Sequence, residues 1–140
     1  MFQIDTTTGN IQMHAGDTGA FAVRATRKTG ESWTDDDRCL FTVRDAQGNI
    51  VMQRLYKLND AFDLGDGVML FQFHNNDTDK WAAGSYSMER RYDITPYWDG
   101  TPPEGACVNA LTAGVKMIEG NCVRTAWHGT LTISSVLGDI

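Results

Sequence analysis

Apolar residues recur at every second position along most of this chain, and that period limits it to strands. In GAFAVRAT, Phe21, Val23 and Ala25 alternate with Ala22, Arg24 and Thr26. In CLFTVRD, Cys39, Phe41 and Val43 share one face. GVMLFQFH puts Met69, Phe71 and Phe73 on one face and the apolar pair Val68 and Leu70 on the other. SYSMERRY sets Tyr86, Met88, Arg90 and Tyr92 against Ser85, Ser87, Glu89 and Arg91. WHGTLTISSV alternates Leu131 and Ile133 with Thr130 and Thr132. Such half-apolar runs, rich in β-branched and aromatic residues, suit sheets with one packed face and one wet face.

The punctuation between the runs agrees. DAQGN, with Gly48 and Asn49, separates CLFTVRD from IVMQRLYK and predicts a hairpin. NNDTDKW predicts a short helical turn, with Asn75, Asn76 or Asp77 as cap and Asp79 in the first turn. ALTAGVKMIEG carries mixed signals and fits either a helical turn or a strand. No long helix is predicted. The expected fold is therefore all-β, an antiparallel sandwich or barrel of about six to eight short strands. Its 140 residues form one domain, 1–140, large enough to fold without metal or disulfides.

Charge narrows the function classes. The formal net charge is −6, and most basic residues are scattered. Only Glu89-Arg90-Arg91 sets two arginines side by side, so no nucleic-acid partner is expected. MFQIDTTTGN lacks the charged and apolar regions of a secretory signal, so synthesis in the cytoplasm is expected. No apolar run approaches the ~18 residues of a membrane helix, so no membrane partner is expected. The three cysteines, Cys39, Cys107 and Cys122, are an odd number and argue against a disulfide framework. Cys107 and Cys122 can pair across their loop under oxidising conditions.

The chemical candidates each have a plainer reading. Asp35-Asp36-Asp37 offers carboxylates for Ca²⁺ but lacks the spacing and glycine of an EF-hand, and reads as a solvated turn. His74, His128, Cys107 and Cys122 lack the paired spacing of a zinc site. His14 and His128 have polar neighbours and are expected to be exposed. Ser85 in AAGSYS does not sit in a G-x-S-x-G elbow, and AGDTGAF lacks a Walker lysine. No catalytic residue, metal or cofactor is expected, and the chain is read as non-enzymatic.

One segment breaks the rhythm. Residues 94–121, ITPYWDGTPPEGACVNALTAGVKMIEGN, hold all three prolines. A connection this long in a small domain is usually functional. It contains Tyr97 and Trp98, residue types that anchor protein interfaces and also stack on sugars. These two are the candidate interface or ligand residues.

In order, several stretches resemble small immunoglobulin-like domains of phage and prophage tail and baseplate proteins, such as the N-terminal domains of upper baseplate proteins. AGDTGAFAVRAT resembles their "G-D-T, then strand" opening, and CLFTVRDAQGNIVMQR their following hairpin. GVMLFQFHNNDTDKWAAGSYSMERRYD resembles the later core, where a strand leads to "D-T" in a helical turn, then "G-x-Y" and another strand. GTLTISSV is similar to the closing strand. The matching stretches cover about 11–93 and 122–136. The departure is 94–121, where a short hairpin connection would stand.

The resemblance implies an immunoglobulin-like antiparallel β-sandwich with a long insertion before the last strand. Trp81 is expected to close an open end of the core, and Gly84 to take a conformation other residues avoid. Tyr86 is expected to bury its ring and bond its hydroxyl to nearby backbone, as in a tyrosine corner. Phe21, Phe41, Phe71, Trp81 and Tyr86 are expected to share one dry interior. The implied role is a structural protein of a tail or baseplate, located in the virion. Its partners would be other tail or baseplate proteins and copies of itself. The alternative is a carbohydrate- or receptor-binding module on the same sandwich.

Overall fold

The period of two is realised as nine strands and one helical turn in the computed structural model, which describes residues 1–25, 38–57, 67–92, 107–109 and 124–135. The strands are β1 (Gln3–Ile4), β2 (Ile11–His14), β3 (Gly19–Arg24), β4 (Arg38–Arg44) and β5 (Ile50–Lys57). After them come β6 (Val68–Phe73), the turn α1 (Asn75–Thr78), β7 (Gly84–Tyr92), β8 (Cys107–Asn109) and β9 (Arg124–Ser134). One sheet has seven strands in the order β1-β2-β9-β7-β4-β5-β8, and a second pairs β3 with β6. The protein is an all-β sandwich. The runs β9-β7-β4 and β3-β6 follow the G-F-C and B-E strand orders of immunoglobulin-like sandwiches.

The described strands number nine where six to eight are expected, with β1 and β2 among the additions, and two further features depart from the sequence expectation. The large sheet is mixed, because β2 pairs in parallel with β9, Ile11 beside Leu131 and Met13 beside Ile133. Alternation gives the faces of a strand but not its direction. The chain after β2 turns away to β3 in the other sheet, so no hairpin forces β2 to run antiparallel to its neighbour. The second departure is β8, which lies within 94–121 and adds to the edge of β5, with Leu55 opposite Val108. Asp35–Asp37, Tyr97, Trp98, the ALTAGVKMIEG stretch and Cys122 lie outside the described residues.

The predicted hairpin forms between β4 and β5. One Asp45 carboxylate oxygen accepts the Gln47 and Asn49 backbone N–H groups at 3.0 and 2.9 Å. Gly48 carries the positive φ of +85° that closes the turn. The helical turn also forms, with a different cap from the one expected. His74 holds the N-cap position, and its backbone N–H donates to Asp77 at 2.7 Å. Asp79 is the C-cap rather than a first-turn residue. Thr78 is fully buried, and its hydroxyl accepts the Gly16 N–H at 2.9 Å, pinning α1 to the turn after β2.

Phe71 is the centre of the core. Its ring lies 5.1 Å from Phe21, 5.2 Å from Phe41 and 4.3 Å from Tyr56. Met13, Val43, Met88, Leu131 and Ile133 complete the interior. Of the five rings expected there, Phe41, Phe71 and Tyr86 are buried, while Phe21 and Trp81 are half-buried and packed against the cluster. Phe21 lies at the margin of the cluster, where Phe2 stacks on it at 6.2 Å. Leu40 and Leu55 face away from this core yet are also buried, so the large sheet is covered on both faces at β4 and β5.

The corner around Tyr86 forms as expected. The Tyr86 hydroxyl donates to the Ala82 carbonyl at 2.7 Å, and Trp81 stacks on its ring at 5.0 Å. Gly84 has φ +152°, which L side chains rarely adopt. Tyr86→Phe keeps the ring and removes the hydrogen bond, and should cost about 0.5–1.5 kcal/mol in urea denaturation. Phe71→Ala opens the centre of the core and should cost about 3–5 kcal/mol in the same measurement.

Candidate functional site

The strand register assembles a row of four residues across the inner face of the large sheet. Arg54 on β5 stands beside Phe41 on β4, Phe41 beside Arg90 on β7, and Arg90 beside Trp127 on β9. Two cations thus sit on the face that otherwise forms the core. Burying them is costly unless each finds a partner.

Arg54 finds its partners on the other side of the sandwich. One guanidinium nitrogen lies 2.7 Å from the Asp77 carboxylate of α1, and another donates to the Gln72 carbonyl of β6 at 2.6 Å. It is a polar clasp between the sheets. Arg90 instead lies over aromatic rings, its Cζ 3.9 Å from the Trp127 ring centre and 6.0 Å from that of Phe71. Its Nε is buried without a hydrogen-bond partner.

Trp127 is seated by glycines. Its six-membered ring occupies the space that Cβ atoms would take at Gly9 and Gly129. Its indole N–H donates to the Thr8 carbonyl at 3.0 Å. Thr8 belongs to the turn between β1 and β2, where one Asp5 carboxylate oxygen accepts the Thr7 and Thr8 N–H groups at 2.8 and 3.2 Å. Those two donors hold the Asp5 carboxyl below the usual carboxylate range. Asn10 fixes the turn to β9 by accepting the Thr130 N–H at 2.9 Å.

Between this turn, β3 and the Arg90–Trp127 pair opens a cleft of about 400 Å³. Its apolar lining comes from Ile4, Phe21, Val23, Phe41 and Trp127, and its cations are Arg90 and Arg24. The volume falls in the range of small-molecule sites, about 300–1,000 Å³.

Behind Arg90, Cys39 and Tyr92 share a dry space. Burial pushes the Cys39 thiol from its ordinary 9.0 up to about 12, against the opposing pull of Arg90 and the Tyr92 hydroxyl. Burial also raises the Tyr92 hydroxyl, reinforced by Cys39 and opposed by the charge and hydrogen bond of Arg90. A thiol held protonated in this way is a packing group rather than a nucleophile.

On the opposite face, Glu89 is buried and meets Arg44 at 2.8 Å and Arg91 at 3.5 Å. His128 is exposed as expected, but His14 is half-buried, with its Nδ1 3.6 Å from Asp17. Asp17 also accepts the His14 backbone N–H, so this local turn draws the ring in. Among the described residues, no three His, Cys, Asp or Glu side chains converge as metal ligands would.

Tyr97 and Trp98 lie outside the described residues, so the cleft is built from other groups. Its signals were present in the chain. Arg90 interrupts the inward-facing set Tyr86, Met88, Tyr92, and Trp127 stands two residues from Gly129. The depth of the cleft had no such signal, because it depends on β3, β7, β9 and the first turn meeting. Comparison of the chain with family models, curated proteins and solved structures returns no match.

Gly129→Ala drives a methyl group into the Trp127 ring and should cost about 1–3 kcal/mol by urea denaturation. In a Trp127→Leu background the same change should cost clearly less. Alkali should destabilise the fold through Cys39. Its folded pKa is raised, so its contribution is full below pH 9 and is lost as pH rises toward 12. Unfolding free energy should therefore fall above pH 9, by up to about 1.4 kcal/mol per pH unit from this group. Urea melts at pH 8, 9 and 10 should show a shallower fall for Cys39→Ala.

Proposed function

We propose that this chain is a non-enzymatic structural module of a phage or prophage tail or baseplate, acting through protein–protein assembly. The observation that carries the reading is the order of the corner elements. Asp77-Thr78 lies in the helical turn, Gly84 opens β7, and Tyr86 bonds back to Ala82, an order that supports the resemblance. The insertion is where this chain departs from the resemblance, and a departure on a shared frame is where partner choice would reside. Its strand β8 extends the large sheet beyond β5. In this reading Tyr97 and Trp98, from the same insertion, are the anchors for copies of the chain or for other tail proteins.

The rival reading is a carbohydrate-binding module, which needs an open aromatic face. In the cleft, one face of the Trp127 ring is taken by the Arg90 guanidinium, so that face offers no platform for a sugar. Light scattering coupled to size exclusion should show a mass that is a multiple of the monomer, and Trp98→Ala should shift it toward the monomer. A protein that stays monomeric alone and with neighbouring tail proteins, and binds glycans through Trp98, would overturn the assembly reading.

A further inference from the structure

We propose that the cleft between the first turn and β3 is a binding site for a small apolar monocarboxylate, with the hydrocarbon on Phe21, Val23 and Ile4 and the carboxylate at Arg90. The inference goes beyond the assembly reading and does not depend on it.

The floor sets the first requirement. Phe41 belongs to the fully packed core, and Phe21 and Val23 are only half-buried, so the cleft is an opening into the interior rather than a dent in the surface. Water in such a place meets mainly apolar walls and is readily displaced by hydrocarbon. At about 400 Å³ the cleft accommodates a chain or ring of roughly ten heavy atoms.

Arg90 sets the second requirement. Its guanidinium is held by the Trp127 ring at 3.9 Å and by the Tyr92 hydroxyl behind it, and its buried Nε has no hydrogen-bond partner. A planar, preorganised guanidinium favours a carboxylate, which can accept two of its N–H groups at once. Asp5, the carboxylate in the cleft lining, turns back onto the Thr7 and Thr8 N–H groups of its own turn. Arg24 also lines the cleft.

The third requirement is a single charge. The chain carries a formal charge of −6, which opposes phosphate esters and other polyanions. A monoanion with an apolar body suits the local cations and pays the least against the global field.

The probes are octanoate, octanamide and octylammonium, titrated into ¹⁵N-labelled protein and followed by NMR. Octanoate should produce saturable shifts centred on Val23, the Arg90 Nε–H and the Trp127 indole N–H, with a Kd below about 10 mM. The amide and the ammonium should bind at least about tenfold more weakly. Arg90→Gln should remove the preference for acid over amide. Should that variant not fold, Arg90→Lys decides instead, and it should keep the preference. Absence of saturable shifts with octanoate, equal binding of the three probes, or shifts centred away from the cleft would each overturn the proposal.

Discussion

The sandwich depends on one ring from the small sheet being held by rings of the large one. Phe71 on β6 meets Phe41 edge-on at 5.2 Å and Tyr56 at 4.3 Å, and stacks on Phe21 of its own sheet at 5.1 Å. A two-stranded sheet is not stable alone in water. Here β3 and β6 persist because their inner residues pack on the large sheet. Each aromatic pair adds about 0.5–1.5 kcal/mol beyond simple burial. The Arg54 clasp to Asp77 and Gln72 then ties the same two layers by polar contacts at one side of this cluster.

The cleft is a consequence of the same geometry. On the inner face, the row Arg54, Phe41, Arg90, Trp127 alternates cation and ring across four strands. Where the small sheet lies over the row, Phe41 is packed. Toward β9 the cover is the first turn, held by Asp5, Asn10 and the Trp127 indole. That turn reaches β9 but leaves space against β3, and the cleft is that space. A site at the boundary between two packed layers can hold a fixed guanidinium without exposing the core, because Trp127 shields one side of it.

Much of the frame was legible because burial has a period of two. The alternations at Cys39, Phe41, Val43 and at Met69, Phe71, Phe73 give faces that are buried in the fold. The Tyr86 corner was expected from the resemblance, and its hydrogen bond is a local one, to Ala82 four residues away. The parallel pairing of β2 with β9 was not, since partners 120 residues apart share no local pattern. The His74–Asp77 cap was misassigned because several neighbouring polar residues could serve and the backbone path selects one. Arg90 was placed on the correct face, but its role was hidden, because only the register shows that Trp127 stands opposite.

The sequence by itself determined β3, β4, β5, β6, β7 and β9, their faces and the β4–β5 turn, since these follow from side-chain alternation and from bonds within a few residues. Only the tertiary structure decided the mixed sheet, the joining of β8 to β5, the seating of Trp127 between Gly9 and Gly129, and the cleft. The physical reason is range. Those features arise where segments far apart in the chain compete for the same space, and that competition is settled by packing rather than by local preference.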